Sequence, residues 1–226
     1  MTTTTDPAER TDTWDMVVVH RVFRREFRIL PALIRAATPG DTARAEVLGR
    51  HLDNVATALH HHHTGEDELI WPLLLARVDL EAELVLRMEE QHLRVAAGLD
   101  TVSSLLPSWE RTASAADGER IAVALEEHAL ALAEHLADEE DHLLSLIEEH
   151  LTAAEYGALN ERFAESTPKD KLLLFLGALL EEATAEEAAD ITRNLPLPAK
   201  LAWRLFGKRQ YARQARELRA PVIAGV

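Results

Sequence analysis

The sequence predicts an all-α protein built on an up-down-up-down four-helix bundle followed by further helices. Three observations predict it. Four apolar stripes recur over the first two thirds of the chain with alternating steps of four and three, the spacing that keeps one helix face toward a partner. Turn signals separate those stripes at short intervals, which favours antiparallel neighbours. Composition agrees: the 226 residues are 5% aromatic with 9 glycines and 9 prolines, and no segment alternates as a strand would.

The first stripe runs Met16, His20, Phe23, Phe27, Leu30, Ile34, and Thr38-Pro39-Gly40-Asp41 ends it. The second runs Leu48, Leu52, Val55, Leu59, His62, Glu66, Leu69, Leu73, with a turn expected in the stretch after Trp71-Pro72 up to Asp79. The third runs Val85, Met88, His92, Val95, Leu99, Val102, Leu106, with a turn expected from Pro107 through Gly118. The fourth runs Ile121, Leu125, His128, Leu132, His135, Glu139, His142, Leu146. Beyond it, Lys171 to Ala183 is a strongly apolar helix that must bury against something, and Asn194-Leu195-Pro196-Leu197-Pro198 breaks the chain before a last, basic helix. The expected division is a bundle over residues 1–155 and a helical extension over 156–226, packed on the bundle or on a partner.

Each stripe is interrupted by imidazole or carboxylate where an aliphatic side chain would pack. Counted from turns centred near residues 39, 78 and 112, the interruptions on neighbouring helices agree to within two to four residues, about 3–6 Å at the helical rise of ~1.5 Å per residue. A buried carboxylate or imidazolium without a partner costs several kcal/mol, so such a layer holds neutral groups, paired charges or a cation. His62 with Glu66, and His135 with Glu139, are i, i+4 pairs that each offer a nitrogen and an oxygen to one centre. With His20 and His92 they make six groups, too many for one tetrahedral zinc and suited to two metals bridged by carboxylates. Iron, manganese or zinc fits this mixture, and a chain with no cysteine offers nothing for copper(I) or an iron–sulfur cluster. The bland alternative is a satisfied buried polar network, or a metal-free, histidine-rich bundle that responds to pH.

Other polar groups are less decided. His63 is either an added ligand or flank, and its neighbours His60 and His61 point elsewhere, since four successive histidines cover a full turn. His128 and His142, on the inward stripe, read as supporting residues: proton relays, hydrogen-bond donors or packing. Asp67 and Glu140 either orient their neighbours or are solvated, and Phe23 and Trp71 are core or line the pocket.

The order of the paired ligands carries a resemblance. His20 in Val19-His20-Arg21-Val22-Phe23, the run His62 to Pro72, Glu90-Gln91-His92, and His135 to Glu140 resemble the hemerythrin-like family with its HHE cation-binding domain, over roughly residues 14–150. The resemblance implies a non-haem di-iron centre, oxo- or hydroxo-bridged and accepting zinc or manganese as substitutes. Glu66 and Glu139 would bridge it, with His20, His62, His92 and His135 as terminal ligands. One feature departs from the family's oxygen carriers, which place a second histidine four residues from the one on the third helix; here those positions are Met88 and Ala96. His63 is the candidate replacement.

Function follows as expectation. The centre would bind or react with O2, H2O2 or NO in oxidative or nitrosative stress, with a catalase-like or peroxide-reducing activity as the enzymatic variant. The alternative is an iron- or oxygen-sensing module signalling through the extension, which can also make a homodimer. The two tyrosines, Tyr156 and Tyr211, lie off the inward stripes, which argues against a tyrosyl-radical role. A formal charge of −15 disfavours nucleic acid. With no long apolar run and no basic, apolar leader, no membrane is expected and the cytoplasm is the expected compartment. The charge is uneven: 11 Lys and Arg against 9 Asp and Glu leave +2 over 156–226 and −17 over 1–155. Lys200 to Arg219 holds seven cations opposed by Glu217 alone, read as a basic helix on an acidic bundle or a solvated face.

Overall fold

A computed structural model describes residues 11–78 and 82–220, and its elements are helices without a strand among the described residues. In chain order come α1 (Trp14–Arg35), α2 (Thr42–Leu69), α3 (Trp71–Arg77), α4 (Ala82–Thr112), α5 (Ala115–His142) and α6 (Leu144–His150). α1, α2, α4 and α5 form the up-down-up-down bundle, each packing on two of the others around the ring. Next come α7 (Ala153–Ser166), α8 (Lys169–Glu182), α9 (Ala185–Asn194), α10 (Leu197–Ala202), a π-helical turn at Trp203–Gly207, and α11 (Lys208–Arg219).

Local chemistry sets the starts. Asp41 accepts a hydrogen bond from the Arg44 N–H at 2.9 Å, and Ser114 from the Asp117 N–H at 3.1 Å, capping α2 and α5. Thr152 with Glu155 and Thr184 with Glu187 make reciprocal capping boxes at α7 and α9. Gly40, in the turn before α2, has φ 86°, and a Cβ there would meet nothing within 4 Å. Only backbone strain therefore opposes a side chain. Gly40→Ala is expected to lower stability by about 1 kcal/mol, a fall of roughly 2–4 °C in Tm, with metal content unchanged; thermal unfolding checks it.

Helix runs into part of two expected turns, and Asp79, at the end of the first, lies outside the described residues. Trp71 to Arg77 forms α3, because a proline in the first turn of a helix gives up an N–H that would have no partner there. Pro107 lies inside α4, held in helix by Leu106 and Trp109, which are buried on either side of it; the chain turns later, at residues 113–114. The inward stripes also shift. After Glu66 the buried positions are Ile70 and Leu74 rather than Leu69 and Leu73, and after Glu139 they are Leu143 and Ile147 rather than His142 and Leu146. An α-helix drifts about 20° per heptad against a strict seven-residue repeat, so a long stripe needs an extra step of four.

The apolar core is split in two. One cluster, with Phe27, Leu30, Leu48, Leu59, Val102, Trp109 and Leu125, fills the end near the 36–41 and 113–114 turns. The other, with Met16, Ile70, Trp71, Leu74, Met88 and Ile147, fills the opposite end. The polar layer lies between them.

The extension packs on one side of the bundle: α7 on α2, α8 on α1, and α11 on α8 and α2. Close approach of α7 depends on Gly65, where a Cβ would lie 2.5 Å from Leu159 Cδ1. An ion network joins α1 to α8 and α11. Arg25, buried, donates to Glu26, Glu181 and Glu182; Arg219 donates to Glu181; and His51 Nε2 lies 2.9 Å from Glu26 Oε2. His51 is mostly buried where it makes this contact.

Candidate metal centre

Four helices bring the predicted groups to one layer: α1 supplies His20, α2 supplies His62, His63 and Glu66, α4 supplies His92, and α5 supplies His135 and Glu139. All seven are buried, with His20, Glu66, His135 and Glu139 fully so. They form two groups whose potential ligand atoms lie within 4.8 Å of one another: His20, His62, Glu66 and Glu139, and His63, Glu66, His92 and His135.

Both carboxylates stand between the groups. Glu66 Oε1 is 3.2 Å from His62 Nε2, while its Oε2 is 3.5 Å from His92 Nε2. Glu139 Oε2 is 3.3 Å from His20 Nε2 and 3.7 Å from His135 Nε2. His63 stacks on His92 with ring centroids 4.1 Å apart and meets His135 edge-on at 4.8 Å.

The outward ring nitrogens are held by partners. His20 Nδ1 lies 2.8 Å from Glu140 Oε1, His92 Nδ1 lies 2.7 Å from Asp67 Oδ1, and His135 Nδ1 lies 3.2 Å from Gln91 Oε1. Each bond to an acceptor places the proton on Nδ1 and turns a bare Nε2 lone pair into the layer. Asp67 and Glu140 thus orient their neighbours. Gln91 entered the sequence reading only within the His92 motif, with no role of its own, because its burial depends on α5. Loss of such an orienting bond costs metal sites about 10–100-fold in affinity, the fall expected for Asp67→Asn or Glu140→Gln in a chelator competition.

What faces inward lacks hydrogen-bond partners. Both oxygens of Glu66, both of Glu139, and the Nε2 atoms of His63, His92 and His135 are buried without one. His62 Nε2 and His20 Nε2 approach to 3.3 Å, a separation that two imidazole nitrogens keep only with a proton or a cation between them. Electrostatics point the same way. Burial and then the nearby Glu139 and Asp67 push the Glu66 carboxyl well above its usual range, and burial raises Glu139, opposed by His20 and His92. Burial and the neighbouring imidazoles push His62 and His63 well down, and His135 to about 2. These five groups are driven toward their neutral forms: neutral imidazole is the form that ligates a metal, and a bound cation would restore the charge of the carboxylates. The donor set, buried imidazole and carboxylate in two groups sharing Glu66, fits the binding of divalent cations.

Flanking residues divide. Phe23 lies 5.5 Å from His62 and Trp71 lies 6.0 Å from His92, ring centre to ring centre. His128 sits in the apolar cluster, 4.5 Å from Phe27, with no hydrogen bond of ordinary geometry to either ring nitrogen. Burial pushes its pKa down to about 4, opposed by the Val95 carbonyl. His142 is corrected: its side chain is 53% exposed and 3.7 Å from Asp138, off the inward stripe for the drift given above. Tyr156, off the bundle stripes in sequence, is carried inward by α7; it is buried and donates to Asp15 at 2.7 Å. Burial, Asp15 and the two site carboxylates raise its pKa, so the phenol keeps its proton.

One cleft reaches the layer from outside. It has a volume of about 620 Å³, lies between α2 and α4, and is lined by His60, His63, Asp67, Glu89, His92 and Asp100, among others. Among the described residues no helix is long and apolar enough to cross a membrane. No curated protein and no solved structure matches the chain. A model of the hemerythrin HHE cation-binding domain matches residues 11–147, well over half of the chain and every residue of the layer. The chain belongs to the hemerythrin HHE cation-binding domain family.

Proposed function

We propose that the layer holds two iron ions and that the protein binds or reacts with a small oxidant, O2, H2O2 or NO. The observation that carries this is the convergence of seven unpartnered buried atoms from Glu66, Glu139, His63, His92 and His135 on one place. In this reading His20 and His62 serve one ion, His63, His92 and His135 the other, and Glu66 and Glu139 lie between them. Iron, when bound, supplies redox electrons and coordination sites for the oxidant. The chain's own part is to hold the Nδ1 protons through Asp67, Glu140 and Gln91, and to exclude water with the two apolar clusters. The α2–α4 cleft admits a small polar molecule at the His63 and His92 side.

Metal content by mass spectrometry, on protein made with ample iron and without a metal-affinity tag, tests the reading. About two irons per chain are expected, lost in Glu66→Ala/Glu139→Ala; no metal under any loading overturns it. Rapid oxygen release from peroxide that disappears in the same variant would assign the catalase-like form.

A second reading, a sensing module or homodimer acting through residues 156–226 as a unit, draws on an exposed apolar row at Leu197, Leu201, Leu205 and Phe206. Light scattering of the full chain against Leu201→Glu tests it: a concentration-dependent dimer lost in the variant is expected, and a monomer at all concentrations excludes it.

A further inference from the structure

A chamber lies between the bundle and the extension, apart from the cleft described above. Its floor is α1 and α2, through Val22, Phe23, Ala58 and His62; its roof is α7, α8 and α11, through residues such as Phe175 and Ala178. The matched family domain ends at residue 147, so the roof is supplied wholly by the part of the chain beyond it. The cavity volume is about 160 Å³. Protein interiors leave few voids larger than a water molecule, and an unfilled void of this size destabilises the fold in proportion to its volume. The chamber opens in part to solvent; apolar cavities of about 150 Å³ take up benzene, which sets the size of guest it can seat.

The lining sets the chemistry. The lining surface is mainly aliphatic and aromatic, with Asn54 and Gln214 among its neutral polar residues. Most charged groups at its ends are committed to one another: Glu26 to Arg25 and His51, Arg219 to Glu181, and Asp15 to Tyr156 and Asn160. Lys171 is the remaining cation on the wall. A charged guest would have to break a satisfied pair or rely on Lys171 alone, whereas a neutral apolar guest displaces nothing.

We propose that this chamber is a binding site for a neutral apolar molecule the size of a single six-membered ring, seated against the face of the bundle that carries His62. The site needs no metal, so the proposal stands apart from the iron reading, and binding to metal-free protein is its readout. Toluene is the probe, titrated into the full chain and followed by ligand-observed NMR and calorimetry. Saturable binding of one molecule per chain is expected, weakened at least tenfold by Ala178→Phe, which fills the chamber from α8, and by Ala215→Phe, which fills it from α11. Each filled variant that folds is also expected to melt higher than the parent. Absence of saturable binding overturns the proposal, as does binding unchanged in both variants. Benzoate binding more tightly than toluene, and failing in Lys171→Met, would overturn it in favour of an anion site.

Discussion

Glu66→Leu is expected to change stability in opposite directions depending on metal. In the metal-free protein the variant should be more stable than the parent by about 1–3 kcal/mol, because replacing a buried carboxyl that has no hydrogen-bond partner by an apolar group of similar volume removes its desolvation cost. Glu66 has both oxygens buried without partners and lies beside a second carboxylate, Glu139, so it is placed to show the effect in full. In the metal-loaded protein the order reverses. A ligand present at 1,000 times its Kd adds about 4 kcal/mol to the folded state, and Glu66 is the residue common to both ligand groups. With two ions bound as proposed, its loss would remove a donor from each at once. Urea unfolding of both proteins, with and without iron, reads the four stabilities. A variant less stable than the parent in the metal-free state would mean that Glu66 is structural, held by something other than a cation.

Much of this was legible before any coordinates, for a physical reason. A ligand layer in a bundle must sit on the inward stripe, and a stripe of alternating fours and threes is a local property of the chain. His20, His62, Glu66, His92, His135 and Glu139 all interrupt such stripes and all lie in the layer. What was not legible depends on contacts between helices. Gln91 points at α5, Arg25 and Glu26 face α8 and α11, and Tyr156 reaches the bundle only because Gly65 lets α7 approach. His142 and Leu146 were misplaced by a different cause, the drift of a real helix against a seven-residue repeat. Pro107 shows the limit of breaker signals: a proline costs a helix about 3 kcal/mol, and burial of Leu106 and Trp109 across it offsets that.

His128 makes the pH dependence of the fold separable from that of the metal site. It lies seven residues before His135, in the apolar cluster, and Gly98 leaves room for its ring, since a Cβ there would fall 2.9 Å from His128 Nδ1. Burial lowers its pKa to about 4 from an ordinary 6.5. Above pH 6.5 the imidazole is neutral folded and unfolded, and it contributes no pH dependence. Between 6.5 and about 4 the unfolded chain takes up a proton that the folded chain does not, so stability falls as pH falls, by about 1.4 kcal/mol per unit and about 3 kcal/mol in all. Below pH 4 both forms are protonated and the loss stops growing. His62, His63 and His135 shift in the same direction, but they are retained in His128→Leu, so the difference between parent and variant isolates this one ring. The variant is expected to match or exceed the parent at pH 7.5 and to gain on it steadily down to pH 4.5, in urea unfolding of metal-free protein. Parallel stability curves across that range would mean that His128 is hydrated or hydrogen-bonded in the fold, and the acid sensitivity of the bundle would then belong to the metal layer alone.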